Sequence, residues 1–201
     1  MKNRGKIELL GRALMCGFVL TVLLCFTGFS AQCDCLAENV LRLHVLANSD
    51  SEKDQAVKLL VRDAILEKTA EKCGNAENLE EALRAVEDDL TEIESAANQT
   101  LTEQGMPYRA SVSLCEMYFP TRVYESYKLP AGKYTALRVS LGEAAGKNWW
   151  CVVFPDLCIS GAADLSSLPA GARQAIAQAD ELKVRFKAVE IFSSLREFFD
   201  V

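Results

Sequence analysis

The chain of 201 residues contains a single histidine, His44, and it lacks the motifs of the common enzyme sites. One imidazole is too few for HExxH zinc hydrolysis or for a histidine-rich metal site. No GxSxG elbow, CxxC pair or true phosphate-binding loop is present. Lys and Arg number 22 against 28 Asp and Glu, which disfavours the concentrated basic face that nucleic acids require. We therefore expect no metal, no cofactor and no nucleic-acid partner.

Gly and Pro are also few, at 11 and 5, which excludes a low-complexity linker protein. At the N-terminus, four basic residues surround one acidic residue, and no charged residue occurs from Ala13 to Cys33. This order is typical of a signal peptide, and the apolar run is also close to the length of an uncleaved membrane anchor. We predict a signal peptide or anchor over 1–37, which contacts the membrane, and one extracytoplasmic domain over 38–201.

Eight cysteines are many for a chain of this length, and export usually means an oxidising compartment. Half of them lie in or beside the apolar N-terminal segment. The four that remain in the folded part are Cys73, Cys115, Cys151 and Cys158. Cys151 and Cys158 are candidates for a local disulfide across a turn that Pro155 and Asp156 favour. Two buried free thiols are the alternative.

The first half of the folded part predicts one strand and two helices. Residues 40–47 are aliphatic and partly alternating, which indicates a strand. Ser49 and Glu52 have the spacing of a capping box, and the apolar periodicity that follows predicts a helix ending near Cys73. A second helical pattern fills 78–104.

The second half changes period. Alternation predicts strands over 108–119, 134–141 and 148–154, with 134–154 as a β-hairpin. Residues 182–199 indicate a short strand that turns into a helix. The fold class is therefore α+β, with a mostly antiparallel sheet packed against a helical hairpin and an N-terminal signal or anchor helix.

Two features of the domain bear on function. His44, Ser49 and Asp50 have the side chains of a hydrolytic triad, but a half-buried strand histidine is the simpler interpretation of His44. Trp149 and Trp150 are adjacent on a strand, so one ring should enter the core while the other lies on the far surface. An exposed Trp near an Arg is the composition of a protein-binding hot spot, although burial of both rings is the alternative.

Several strings resemble a known family, in the same order along the chain. They are RLHVLANSDSEKDQAVKLLVRDAIL at 42–66, YFPTRVY at 118–124, LPAGKYTALRVSLGEAAGKNWWCVVFPDLC at 129–158 and VRFKAVE at 184–190. Together they resemble the stage II sporulation protein R family of endospore-forming bacteria. The resemblance implies a signal, not an enzyme. Such a protein is secreted from the forespore into the intermembrane space, where it activates a membrane-embedded aspartyl protease of the mother cell, and that protease processes the sigma-E precursor.

The resemblance and the rules of interface composition together nominate a partner-binding patch. Its residues are Asn48, Ser49, Asp50, Phe119, Thr121, Arg122, Asn148 and Trp150. Two other function classes stay open. One is an exported wall-acting hydrolase that uses Asp50 or Glu116, and the other is a structural protein of the septum.

Overall fold

The computed structural model describes residues 11–18, 20–21, 31–124, 127–155 and 168–181. These residues form six strands and four helices of ten or more residues. Shorter helical stretches lie over 11–18 and 31–37. No helix among these residues is both long enough and apolar enough to cross a bilayer. The predicted strand and helix at 182–199 lie outside the described residues.

A four-stranded sheet organises the domain. Its strands, in chain order, are β1 (Leu41–Leu46), β2 (Ala110–Phe119), β5 (Gly132–Leu141) and β6 (Asn148–Phe154), and they lie in the order β2, β5, β1, β6. A small separate ribbon pairs β3 (Arg122–Val123) with β4 (Lys128–Leu129). The predicted α+β class with a mostly antiparallel sheet is confirmed. The predicted hairpin is wrong, because β1 lies between β5 and β6, parallel to β5 and antiparallel to β6.

Three helices cover one face of this sheet. They are α1 (Glu52–Cys73), α2 (Leu79–Asp88) and α3 (Leu90–Glu103). Their apolar residues meet alternate residues of the strands in a first core, which includes Val61, Ile93 and, on β1, Leu43. This packing confirms the helical layer. The single helix expected over 78–104 is divided at Asp89, where Lys72 of α1 bonds the carboxylates of both Asp89 and Glu92.

The beginning of α1 also differs from the expectation. The N-cap is Ser51, whose side chain accepts a hydrogen bond from the backbone N–H of Asp54 at 3.2 Å. Ser49 is engaged differently, because its hydroxyl donates to the Asp54 carboxylate. The helix α2 begins at a side-chain cap as well, since the Asn78 side chain accepts from the N–H of Glu81 at 3.0 Å.

The opposite face of the sheet, called the far face here, is only partly covered. A second core occupies one half of it, where α4 (Ala170–Glu181), residues 31–37 and the segment after β2 bury Phe119, Leu129 and Tyr134. The helix α4 was not predicted from the sequence. The other half of the far face carries polar and exposed residues, and it holds most of the candidate site.

The outer edge of β2 is protected at its beginning by α3. The Asn98 side chain accepts from the N–H of Ala110 at 2.9 Å and donates to its carbonyl at 3.1 Å. Glu94 accepts from the N–H of Val112 at 3.0 Å. Because these side chains occupy the edge groups, another strand cannot pair there.

Candidate partner-binding surface

One row of side chains crosses all four strands in the uncovered half of the far face. Strand register places Ser113 opposite Arg138, Arg138 opposite His44, and His44 opposite Trp150. Ser113 and Arg138 are exposed, and Trp150 is partly exposed. We call these four residues the open row. Residues paired across strands share a face of the sheet, so the four side chains lie side by side on the far face.

His44 forms the centre of the open row, although its own side chain is 4% exposed. Its ring stacks on Trp150 at 4.0 Å between centroids, with the planes 3° apart. Nε2 lies 2.7 Å from the Asn148 side-chain oxygen, which makes this nitrogen the donor. Nδ1 has no hydrogen-bond partner among the described residues. Burial lowers the pKa of His44, and the nearby Arg138 and Arg122 lower it further, against the effect of the Asn148 bond.

Phe119 supports the row from below. It is fully buried, and its ring meets Trp150 edge-on at 4.8 Å and His44 at 6.3 Å. A partner could not reach this ring without displacing Trp150, so Phe119 holds the surface in shape.

Arg122 lies beside Trp150, with its guanidinium carbon 5.2 Å from the centre of a Trp150 ring. This is within the range of a cation–π contact. Nearby, the Thr121 hydroxyl accepts from the N–H of Ala131 at 3.2 Å and so ties down the segment that carries Arg122.

Sequence reasoning missed Arg42, which is fully buried two residues before His44 on the same face. Its Nε donates to the carbonyl of Cys151 at 3.0 Å, and one Nη donates to the Tyr124 hydroxyl at 2.8 Å. Its guanidinium also lies 4.3 Å from the Phe119 ring centre. Strand alternation places Arg42 and His44 on one face, but it does not tell whether that face is buried.

A separate polar network holds the loop after β1. Asp54 is its centre and accepts from the hydroxyls of Ser49 and Tyr108, each at 2.5 Å, and from the Asn48 amide at 2.9 Å. These bonds, led by that of Ser49, hold the pKa of Asp54 at about 2. Asn48 also accepts from the N–H of Glu143 at 3.0 Å, so the network joins two loops.

Asp50 fixes the second of these loops from the outside. Its carboxylate accepts from the N–H of Lys147 at 2.7 Å, directly before Asn148. The eight nominated residues therefore form two adjoining groups. Phe119, Arg122, Asn148 and Trp150 surround His44, and Thr121 holds the segment that carries Arg122. Asn48, Ser49 and Asp50 shape the neighbouring loops, and Asn148 connects the two groups.

The arrangement does not assemble the triad considered above. His44 bonds Asn148, Ser49 bonds Asp54, and Asp50 bonds the Lys147 backbone. The other tryptophan behaves as alternation predicts. Trp149 packs against the first core, with the Arg62 guanidinium 4.3 Å from its ring centre, while Trp150 lies on the far face.

Cys151 is disulfide-bonded, whereas Cys73 and Cys115 are free thiols. Cys158 lies outside the described residues, so its pairing with Cys151 stays a prediction.

Comparison with known sequences identifies the family. A family model described as stage II sporulation protein R matches residues 37–164, which is more than half of the chain. The chain belongs to this family. Stage II sporulation protein R of Bacillus subtilis (strain 168) is 38% identical to it over 123 residues, 61% of this chain and 55% of that protein. The chain thus aligns with about half the length of this curated relative. No solved structure matches.

The stage II sporulation protein R match covers every residue of the open row and all eight nominated residues, whereas α4 lies beyond it. The candidate surface is therefore built within the part of the chain that carries the family match. A role in sporulation follows from the membership.

Proposed function

We propose that this protein is an exported signal of sporulation. In this proposal the forespore secretes it into the space between the two septal membranes, where it activates a membrane-embedded aspartyl protease of the mother cell. That protease then processes the sigma-E precursor. Membership of the stage II sporulation protein R family is the observation that carries the proposal.

The N-terminal segment supports export. The apolar side chains described between residues 11 and 21 contribute nothing to either core, since Leu14, Met15, Phe18 and Leu20 are 58–71% exposed. Apolar residues outside a core are expected of a segment that inserts into a membrane or is removed with a signal peptide. Under this proposal, residues 38–201 lie outside the cytoplasm in both cases.

The mechanism proposed is binding that shifts the protease toward its active arrangement. A ligand can do this only if it binds the active state more tightly than the inactive one. A contact surface that is rigid before binding helps, because little ordering then opposes association. The stacked rings of His44 and Trp150, supported by Phe119, provide such a surface.

The nominated patch divides into two roles under this proposal. Trp150, Arg122 and Asn148 lie at the far face and would contact the partner directly. Asn48 and Ser49 would act through the loop they hold, since their side chains bond Asp54.

The test is reconstitution in a non-sporulating bacterium that carries the protease and the sigma-factor precursor. The precursor should be processed when the full chain is secreted, and it should stay unprocessed when the chain is absent. Trp150→Ala and Arg122→Ala should reduce processing at equal secreted amounts. Arg84→Ala is the matched control, because Arg84 is an exposed residue of α2 on the opposite face of the sheet.

The outcomes separate the function classes. Processing that needs the wild-type chain, and that increases in proportion to the amount secreted, supports a signalling ligand. Absence of processing, with the protein secreted and folded, would contradict the proposal and favour the exported hydrolase.

A further inference from the structure

The far face carries arginines that have no acidic partner among the described residues. The ion pairs of the described residues all lie on α1, α2 and α3 or at the junction between them, within residues 62–92. Arg42, Arg122 and Arg138 take part in none of them. In a chain with a net charge of −6, this face is therefore a local concentration of positive charge.

Several polar atoms of this face are buried and unsatisfied. They include Nδ1 of His44, Nε of Arg122 and Nη1 of Arg42. A buried donor or acceptor without a partner is destabilising, and such atoms are rare in native proteins. Of these three side chains Arg122 is partly exposed, whereas His44 and Arg42 are buried, so the Arg122 guanidinium is the group among them that a carboxylate from another molecule can approach.

We propose that the open row, together with Arg122, binds an acidic peptide segment of the partner protein. This inference rests on the proposed function and names the chemistry that the partner must present. A carboxylate over the row can contact the exposed Arg138 guanidinium, and a second can approach Arg122 at the other side of Trp150. Arg is suited to this role because its planar donors match the two carboxylate oxygens.

The open row favours a peptide over a bilayer surface. Anionic membranes attract clusters of several Lys and Arg, whereas this face presents two arginines that are at least partly exposed, Arg122 and Arg138. Trp and Arg side by side on a flat strip are instead the residues enriched in protein-binding hot spots. Arg42 lies underneath and raises the local positive potential without reaching the surface.

The test uses the full chain and a fluorescein-labelled glutamate-rich dodecapeptide as the probe, with binding followed by anisotropy at low salt. A glutamine-rich peptide of equal length is the neutral probe. Arg138→Glu and Arg122→Ala remove charge from the surface. Arg84→Glu makes the same charge change as Arg138→Glu on the opposite face of the sheet.

The wild-type chain should bind the acidic probe and not the neutral one, and added salt should weaken binding because exposed charges are screened. Arg138→Glu should weaken binding about three- to fivefold, as expected for exposed ion pairs, and Arg84→Glu should leave it within twofold. Equal effects of Arg138→Glu and Arg84→Glu, or no binding of the acidic probe, would overturn the inference.

Two further measurements keep this inference separate from the proposed function. Vesicles containing phosphatidylglycerol should not bind the full chain through this face, and vesicle binding that Arg138→Glu abolishes would overturn the choice of a peptide. In the reconstituted cell, processing that Arg138→Glu leaves intact would refute the acidic-segment inference alone. Absence of processing with the wild-type chain would refute the proposed function. The peptide assay would still test whether the open row and Arg122 bind an acidic segment.

Discussion

His44 offers a clean probe of the candidate surface, because it is the only histidine in the chain. Its pKa is lowered from 6.5, first by burial. The folded protein therefore binds a proton less readily than the unfolded chain, and stability is lost as pH falls from 6.5 toward the lowered pKa. In a proton NMR titration, the single imidazole C2–H signal should move with a midpoint below 6.5.

Neighbouring substitutions test the causes of this shift. Arg138→Gln should raise the midpoint, because it removes a nearby positive charge, whereas Asn148→Ala should lower it, because the bond to Nε2 favours the protonated ring. Lys68→Gln, on the exposed side of α1, should change nothing. A midpoint at or above 6.5 in the wild-type chain would contradict the buried geometry.

Asp54 should dominate the acid sensitivity of the loop network. Its pKa of about 2 in the folded protein lies below the ordinary 3.8, so the carboxylate contributes stability above pH 4 that is lost as pH falls toward 2. The contribution is roughly 2 kcal/mol at neutral pH. Asp54→Asn should lower the free energy of unfolding in urea at pH 7 by about that amount, and it should flatten the pH dependence between 4 and 2.

The control for Asp54 is another carboxylate of the same helix. Asp63 is exposed and bonds only its neighbour Arg62, so Asp63→Asn should cost less than about 0.5 kcal/mol. If the two substitutions had equal effects, the Asp54 network would not be the source of the stability.

At the scale of elements, alanine substitutions at two glycines measure two different costs. One is the cost of a steric clash, and the other is the cost of a strained backbone conformation. Gly146 lies against the loop after β1, where an added Cβ would meet the Ser49 carbonyl oxygen at 2.2 Å and its carbon at 2.5 Å. Gly105 follows α3 with φ of 62° and has open space around its Cβ position. Gly105→Ala should therefore cost about 1–2 kcal/mol from conformation alone.

Gly146→Ala should cost more, because the backbone of Ser49 must move and the hydrogen bonds between the two loops are then disturbed. The bonds at stake include that from the N–H of Gly146 to the Ala47 carbonyl. We expect a loss of about 3 kcal/mol or more in urea unfolding, as for a strained insertion into a packed site. A smaller loss than for Gly105→Ala would show that the loops do not pack as the structure has them.

The elements were predictable where one local pattern decides them. Alternation places β1, β2, β5 and β6, and apolar periodicity places α1. The strand order was not predictable, because a hairpin and an inserted β1 bury the same alternate residues. The break at Asp89 is likewise invisible in the apolar spacing, which continues through it, as is the ion pair that Asp89 forms there with Lys72. The strand order and the helix break are visible only in the three-dimensional structure.

The candidate site shows the same division. A surface Trp beside an Arg was predictable from adjacent tryptophans and strand alternation. The participation of His44 and Arg138 was not, because it arises from the register across β5, β1 and β6. Asn48 and Ser49 turned inward because the Asp54 carboxylate lies within hydrogen-bond distance, a contact that their polar side chains alone do not predict.

At the scale of the whole molecule, the described cysteines divide into one that is disulfide-bonded and several that are free thiols. Burial raises the pKa of Cys73 to about 11 and that of Cys33 to about 12. The thiolate is the reactive form, so both buried thiols are inert at neutral pH and can persist beside a disulfide. Of Cys33, Cys73 and Cys151, only Cys151 is disulfide-bonded.

The protein secreted into an oxidising medium should therefore contain one disulfide between Cys151 and Cys158, with Cys73 still reduced. Peptide mapping without reduction should recover the Cys151–Cys158 pair. Iodoacetamide should label Cys73 only after unfolding, because the thiol is buried and protonated in the folded chain. Cys158→Ser should leave a Cys151 thiol and lower the unfolding midpoint in urea, since a disulfide of this kind contributes about 2–4 kcal/mol. Cys115→Ser, at a free cysteine of β2, is the matched control and should preserve the pair. A Cys151 disulfide that persists in Cys158→Ser would contradict the predicted pairing.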